Sequence, residues 1–254
     1  MLNQKYSMQW LAAEEASKDS AQFLFFWGHT SNGKVNKACL SQWAKYKFNI
    51  NGIEYKTAEH WMMAQKANLF QDRRIFDLIV SADNPKEAKK LGRSVSNFEP
   101  GLWKSKAYEL VKLGNIHKFN QNPEILEYLL STGESILVEA SPDDNIWGIG
   151  LSEKDALEIH FSMWEGSNLL GFALMEVRDF FNTHGPFEVP KDGMLPPWQK
   201  FPDAERSDLF WRMGNGEDYL GDFSKHFAGM SDRERIIYSL CYPPPFEWEG
   251  IYGT

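Results

Sequence analysis

Cysteine is scarce: Cys39 and Cys241 are the only two in 254 residues, which excludes a small disulfide-stapled scaffold. Long apolar runs are missing as well. The most apolar stretch, residues 169–181, is interrupted by Glu176, Arg178 and Asp179, and falls short of the roughly 20 apolar residues that a membrane-spanning helix needs. The first residues lack the charged-then-apolar order of a signal peptide. These absences predict a soluble, cytoplasmic protein with reduced thiols and no membrane partner. Positive charge is also in deficit. A formal net charge of -8 argues against broad adhesion to nucleic acid, which requires clustered Lys and Arg, but it permits a local basic pocket for a substrate phosphate. Neither metal-ligand spacing nor a known phosphate-binding glycine loop occurs, so no metal and no bound cofactor are expected.

What is present is apolar surface enough for a sizeable core, with 43% hydrophobic and 15% aromatic residues. Residues 23–27 read as a buried strand ended by Gly28, residues 46–55 as a hairpin around the turn pair Asn51-Gly52, and residues 136–140 as a second core strand. Between and after them, helical patterns run over 72–82, from Pro85 to Gly92, over 103–119, from Pro123 to Leu130, and over 168–181. The expected class is therefore α+β, a predominantly helical domain with a small sheet of short strands. A polar lead-in over 1–22 carries one short helix, 10–20, and Ser31-Asn32-Gly33 reads as a turn. Beyond 182 the composition changes. Pro186, Pro190, Pro196, Pro197 and Pro202 break residues 183–254 into a Pro-rich C-terminal extension with helices expected over 203–213 and 231–240, the second opened by a Ser231-x-x-Glu234 capping box, and an extended tail over 242–248.

The most informative stretch is 57–70. Thr57 stands where a hydroxyl N-cap belongs, and Glu59 falls in the first turn, where the helix dipole favours a carboxylate. Glu59 and Lys66, seven residues apart, share a helix face at roughly 10 Å. Such a helix, placing Glu59, His60, Gln65 and Lys66 among apolar residues, reads either as a surface salt-bridge face or as one wall of a site. A second stretch, 139–150, ends a strand in Pro142, Asp143 and Asp144 and then sets Trp147 beside Gly148 and Gly150. That pattern describes either a turn plugged by an aromatic ring or a loop whose backbone and indole approach a ligand. Asp143 reads as a turn residue, while Asp144 stands open between the two. The run Lys86, Lys89, Lys90 and Arg93 is one local cluster of cations, with a solvated helix face the plainer reading for at least two of them.

Phe23-Leu-Phe-Phe-Trp-Gly-His29, Leu40-Ser-Gln-Trp43, Glu59-His60 with Met62-Met-Ala-Gln-Lys-Ala67, Lys118-Phe-Asn-Gln-Asn122, Leu137-Val-Glu-Ala-Ser-Pro142, Asp144 with Trp147-Gly-Ile-Gly150, and 168–175 with Arg178 together resemble the NADAR family, the YbiA-like N-glycosidases. The resemblance covers roughly 23–181, and so divides the chain into a lead-in over 1–22, a NADAR-like domain over 23–182 and an extension over 183–254. It implies hydrolysis of the bond between ribose C1 and an exocyclic aromatic amine. Its substrates would be ribosylamino-pyrimidine phosphates of riboflavin biosynthesis, or ADP-ribose linked to guanine in a nucleotide or single-stranded nucleic acid; a non-catalytic ADP-ribose or NAD-binding module is the further alternative. Carried onto these residues, the resemblance marks Glu59 and Asp144 as the acid and carboxylate of the reaction. Lys66 would hold a phosphate or form a Schiff base. Trp27, Gly28, His60, Gln65, Trp103, Trp147, Gly148, Gly150 and Asn168 are the candidate substrate contacts.

Overall fold

The computed structural model describes residues 4–15, 22–30, 33–188, 190 and 193–253. Two compact units appear: residues 1–49 with 53–185, and residues 186–254 with the hairpin tip 50–52. The first begins with helix α1 (Met8–Glu15), strand β1 (Phe23–Phe26) and the hairpin strands β2 (Phe48–Ile50) and β3 (Ile53–Tyr55). Helices α2 (Ala58–Leu69), α3 (Arg73–Ser81), α4 (Pro85–Gly92), α5 (Pro100–Asn120) and α6 (Pro123–Ser131) follow. Strand β4 (Ile136–Glu139), the short α7 (Glu153–Leu157) and α8 (Leu169–His184) complete it. This is the helix-rich α+β class that the sequence predicts. The lead-in helix expected over 10–20 spans Met8–Glu15; its remainder, and the first two residues of the expected Ser31-Asn32-Gly33 turn, lie outside the described residues. Among the described residues no helix is long and apolar enough to cross a membrane.

Strands β1 and β4 pair in parallel, from Phe23 opposite Ile136 to Phe26 opposite Glu139. Parallel pairing sends both chains out of the sheet at the same edge, the carboxyl end, where ligands of α/β folds are usually held. Helix α8 covers β4. Gly171 lets it approach, because a Cβ there would collide with the Leu137 carbonyl. Just before the helix, Asn168 is fully buried: its Nδ2 donates to the Leu137 carbonyl at 2.9 Å and its Oδ1 accepts from the Glu139 N–H at 3.0 Å. The edge of β4 is thereby fixed at the residue where the chain leaves the strand.

A second fixed point is Lys118 of α5, whose side chain is fully buried. Its ammonium donates to the carbonyls of Cys39 (2.7 Å) and Ser41 (2.9 Å) and so holds the turn that carries Trp43. Burial pushes the Lys118 amine down to about 8 and the Cys39 thiol up to about 11. Both cysteines are free and buried.

The second unit contains α9 (Pro197–Lys200), α10 (Gly214–Ala228) and α11 (Asp232–Cys241) around a core of Phe223, Ile237, Tyr238, Cys241 and Tyr242. Helix α11 starts on the predicted capping box, with Ser231 and Glu234 bonding each other's backbone N–H. Two expectations are corrected. Residues 203–213 hold only a single 3-10 turn, Leu209–Arg212, instead of a helix, and the extended tail closes in another, Phe246–Trp248. Helix α10 was not expected at all, because Gly214, Gly216 and Gly221 depress its propensity. Phe223 and Phe227 pack on Tyr238 and supply the tertiary contacts that override it.

Candidate active site

The carboxyl edge of the β1–β4 pair opens into a cleft of about 990 Å³. One wall is the segment after β1, Trp27, Gly28 and His29, joined by Trp43, whose indole lies 5.5 Å from the His29 ring. The end of β4 and the loop beyond it supply Glu139, Ser141, Asp143 and Asp144. Opposite stand Lys86, Lys89 and Lys90 of α4 and Arg93, the residue that caps its C-terminus. Their spacing of three, four and seven residues places all four on one helical face. That face borders the cleft, and Lys86, Lys90 and Arg93 remain exposed on it, in keeping with the solvated reading of at least two of these cations, while Lys89 is half-buried.

Helix α2 begins beside this cleft. Thr57 caps it, as predicted, by accepting from the His60 N–H, and the Glu59 N–H donates to the Gln42 carbonyl at 3.0 Å. The Glu59 side chain is buried, hydrogen-bonded to Trp43, and its Oε1 has no partner among the described residues. Burial pushes its carboxyl up from about 4.5 to about 7, against the opposing field of Lys89. Glu139 behaves alike. Burial first, and then the charges of Asp144 and Glu59, push its carboxyl up to about 8, while Lys89 opposes them. Its Oε2 is likewise buried and unpartnered. Asp144 is held differently: Oδ1 accepts from the N–H groups of Ile146 (3.0 Å) and Trp147 (2.8 Å), and Oδ2 faces Lys89 Nζ at 3.9 Å. Three carboxyl groups from α2, β4 and the following loop thus share one electrostatic neighbourhood with a row of cations.

The sign of the Glu59 shift yields a stability prediction. A carboxyl that binds its proton more tightly folded than unfolded weakens the fold as pH climbs from its unfolded value, near 4.5, to its folded value, near 7, and the cost stays constant above that. Glu59→Gln is therefore expected to stabilise the protein by about 3 kcal/mol at pH 8 and not at all at pH 4. Thermal melts of both proteins at the two pH values check this.

The structure brings Asp144, Trp27 and Gly28 together at the cleft, with Glu59 buried outside its lining and bonded to Trp43, and Trp27 stays 58% exposed there as a free aromatic surface. Several other predicted site residues are engaged elsewhere. Both ring nitrogens of the fully buried His60 are bonded, to Thr57 Oγ1 (2.8 Å) and the Ala82 carbonyl (3.2 Å). Gln65 is buried and bonds the Tyr55 hydroxyl, and Asn168 braces β4. Lys66 and Trp103 do not line the cleft: the ammonium sits 3.9 Å above the Phe98 ring and 5.9 Å from Trp103, and its pKa is lowered by burial and by Arg93. Trp147 is half-buried, with its carbonyl accepting from the Leu170 N–H. The Gly150 N–H, expected to meet a phosphate, donates to the Asp144 carbonyl at 3.1 Å. Gly148 has a packing role, since a Cβ there would stand 2.8 Å from the carbonyl oxygens of both Glu139 and Asp144. The residue that sequence reasoning missed is Glu139. Its signal was available: an acid that ends the buried run Ile136-Leu-Val138.

The model of the NADAR domain matches residues 25–182. N-glycosidase R617 of Acanthamoeba polyphaga mimivirus is 41% identical over 166 residues, 63% of this chain and 97% of that protein. A riboflavin biosynthesis protein of Vibrio vulnificus is 27% identical over 154 residues, 61% of this chain but only 38% of that protein. The NMR structure of Escherichia coli YbiA superposes with a TM-score of 0.54 at 24% identity, over 68% of this chain and 93% of the other, and shows a shared fold.

Proposed function

The chain belongs to the NADAR family and is by that kinship an N-glycosyl hydrolase, and we propose that its cleft hydrolyses the bond between C1 of a phosphorylated ribose and an exocyclic aromatic amine. The observation that carries the proposal is the sharing of one cleft by the cations Lys86, Lys89, Lys90 and Arg93 and the carboxyl groups of Glu139 and Asp144, with Glu59 buried next to them. Cations at one wall suit the phosphate, and carboxyl groups at the other suit the sugar carbon. Breaking the C1–N bond leaves its electron pair on nitrogen and builds positive charge on C1 and the ring oxygen, so an anionic group must face C1 and an acid must protonate the leaving amine. Asp144, its orientation set by two backbone N–H groups, supplies the first. A protonated member of the buried pair supplies the second. Water adds to C1, and Trp27 gives the heterocycle a face to stack on.

The substrate we favour is a ribosylamino-pyrimidine phosphate, in keeping with the name of the Vibrio vulnificus relative. A cleft of this size with four cations also suits the diphosphate of an ADP-ribosyl group on guanine, which is the second reading. Incubation with each compound separates the two. The first reading expects release of the aminopyrimidine with ribose 5-phosphate; release of ADP-ribose alone would select the second. For Lys66, borohydride distinguishes two roles. An imine with the ring-opened sugar would be trapped as a stable adduct, whereas a phosphate contact leaves none and appears as a raised KM in Lys66→Met. Nζ sits over Phe98, outside the lining of the cleft, so the absence of an adduct together with an unchanged KM would mean that Lys66 plays neither role.

A further inference from the structure

Of the two buried acids, only one opens to the cleft. Glu59 lies behind Trp43 and bonds it, whereas Glu139 is itself part of the lining. The main chain of Glu139 is held at both polar groups: its N–H donates to Asn168 Oδ1 and its carbonyl accepts from the Ile149 N–H, each at 3.0 Å. It is also the last residue of the strand register, opposite Phe26. The backbone that carries the carboxyl is fixed in this way, and its Oε2, buried without a hydrogen-bond donor among the described residues, is poorly stabilised as an anion, with only the Lys89 field in its favour. The charged groups facing it are Glu59 from α2, Lys89 from α4 and Asp144 from the loop, two acids against one base.

We propose that Glu139 is the proton donor to the departing amine, with Glu59 a positioning residue behind it and Asp144 the carboxylate that faces C1. This deepens the hydrolytic reading and rests on it. The Glu139 O–H bond breaks as an N–H bond forms on the exocyclic nitrogen, and the C1–N bond breaks with its electron pair going to that nitrogen. Water oxygen bonds to C1 and its proton returns to Glu139. The products are the free aromatic amine and ribose 5-phosphate, and Glu139 ends protonated as it began. Its burial and acidic neighbours, which push the carboxyl up to about 8, keep that proton in place at neutral pH.

The test is the pH profile of kcat for the wild type, Glu139→Gln and Glu139→Asp, read on ribosylamino-pyrimidine phosphates whose amine carries successively stronger electron-withdrawing substituents. The wild type is expected to lose activity above about pH 8. Glu139→Gln is expected to lose about 10²- to 10⁴-fold in kcat with KM little changed, to show no alkaline limb, and to lose less as the leaving amine becomes less basic. Glu139→Asp, which keeps an acid, is expected to restore an alkaline limb. An alkaline limb that persists in Glu139→Gln, or a loss indifferent to the leaving amine, would overturn the assignment while leaving the hydrolytic reading in place. A wild type that releases no amine from any of these compounds, nor ADP-ribose from ADP-ribosylated guanine, would overturn both.

Discussion

Asp144→Asn is expected to lower kcat about 10³-fold while shifting the melting temperature by no more than a few degrees. The reason lies in how the side chain is divided. Oδ1 accepts from the N–H groups of Ile146 and Trp147, and the amide oxygen of Asn can accept both. The substitution therefore preserves the loop and removes only the charge, on the oxygen that faces Lys89 and the cleft. Removing one electrostatic stabiliser of a developing charge typically costs 10²- to 10³-fold, and the Lys89 cation left unopposed beside C1 adds to it. Steady-state kinetics with a melt on the same sample checks the pair of outcomes. A tenfold loss or less would mean that the charge of Asp144 does not act in the reaction.

Lys118→Met is expected to destabilise the fold by about 2–4 kcal/mol, the size expected when two buried carbonyls lose their donor. Met fills similar volume but donates nothing. The carbonyls of Cys39 and Ser41 would be left buried without the ammonium that now reaches both at under 3 Å. Because that turn carries Trp43, which bonds Glu59, KM and kcat should worsen together as the turn loosens. Urea melts measure the first effect; the cost of burying the Lys118 ammonium is present in full below about pH 8 and falls away as pH rises from there to its unfolded value near 10.5.

Local signals carried much of the fold. The Asn51-Gly52 turn, the Thr57 cap, Pro85 and Pro123 opening helices, and the Ser231 capping box each depend on neighbours within a few residues, and each is found in place. Glu59 and Asp144 were legible as a pair through the family resemblance, and their shared neighbourhood follows from the packing of α2 and the loop after β4. Glu139 was not legible in the same way. Its importance comes from the parallel pairing of β1 with β4, strands far apart in the chain, which buries an acid at the sheet edge. The α4 cations were legible only as a row; that Lys89 among them faces Asp144 could not be read before the opposite wall was known. Conversely, His60, Gln65 and Asn168 stood out as polar residues among apolar ones, and the structure gives them structural hydrogen bonds: a helix start for His60, a tyrosine hydroxyl for Gln65, a strand edge for Asn168. Helix α10 escaped because glycine masks a helix whose stability comes from aromatic packing in three dimensions.

The most direct test of the account is the rate of aminopyrimidine release from a ribosylamino-pyrimidine with and without its 5-phosphate, by the wild type and by Lys86→Ala with Arg93→Ala. One cleft that grips phosphate on α4 and severs the sugar–amine bond at the carboxyl wall predicts a kcat/KM at least about 100-fold higher for the phosphorylated compound, and a gap that narrows in the double variant. Equal rates on the two compounds, or a gap untouched by losing both cations, would contradict it.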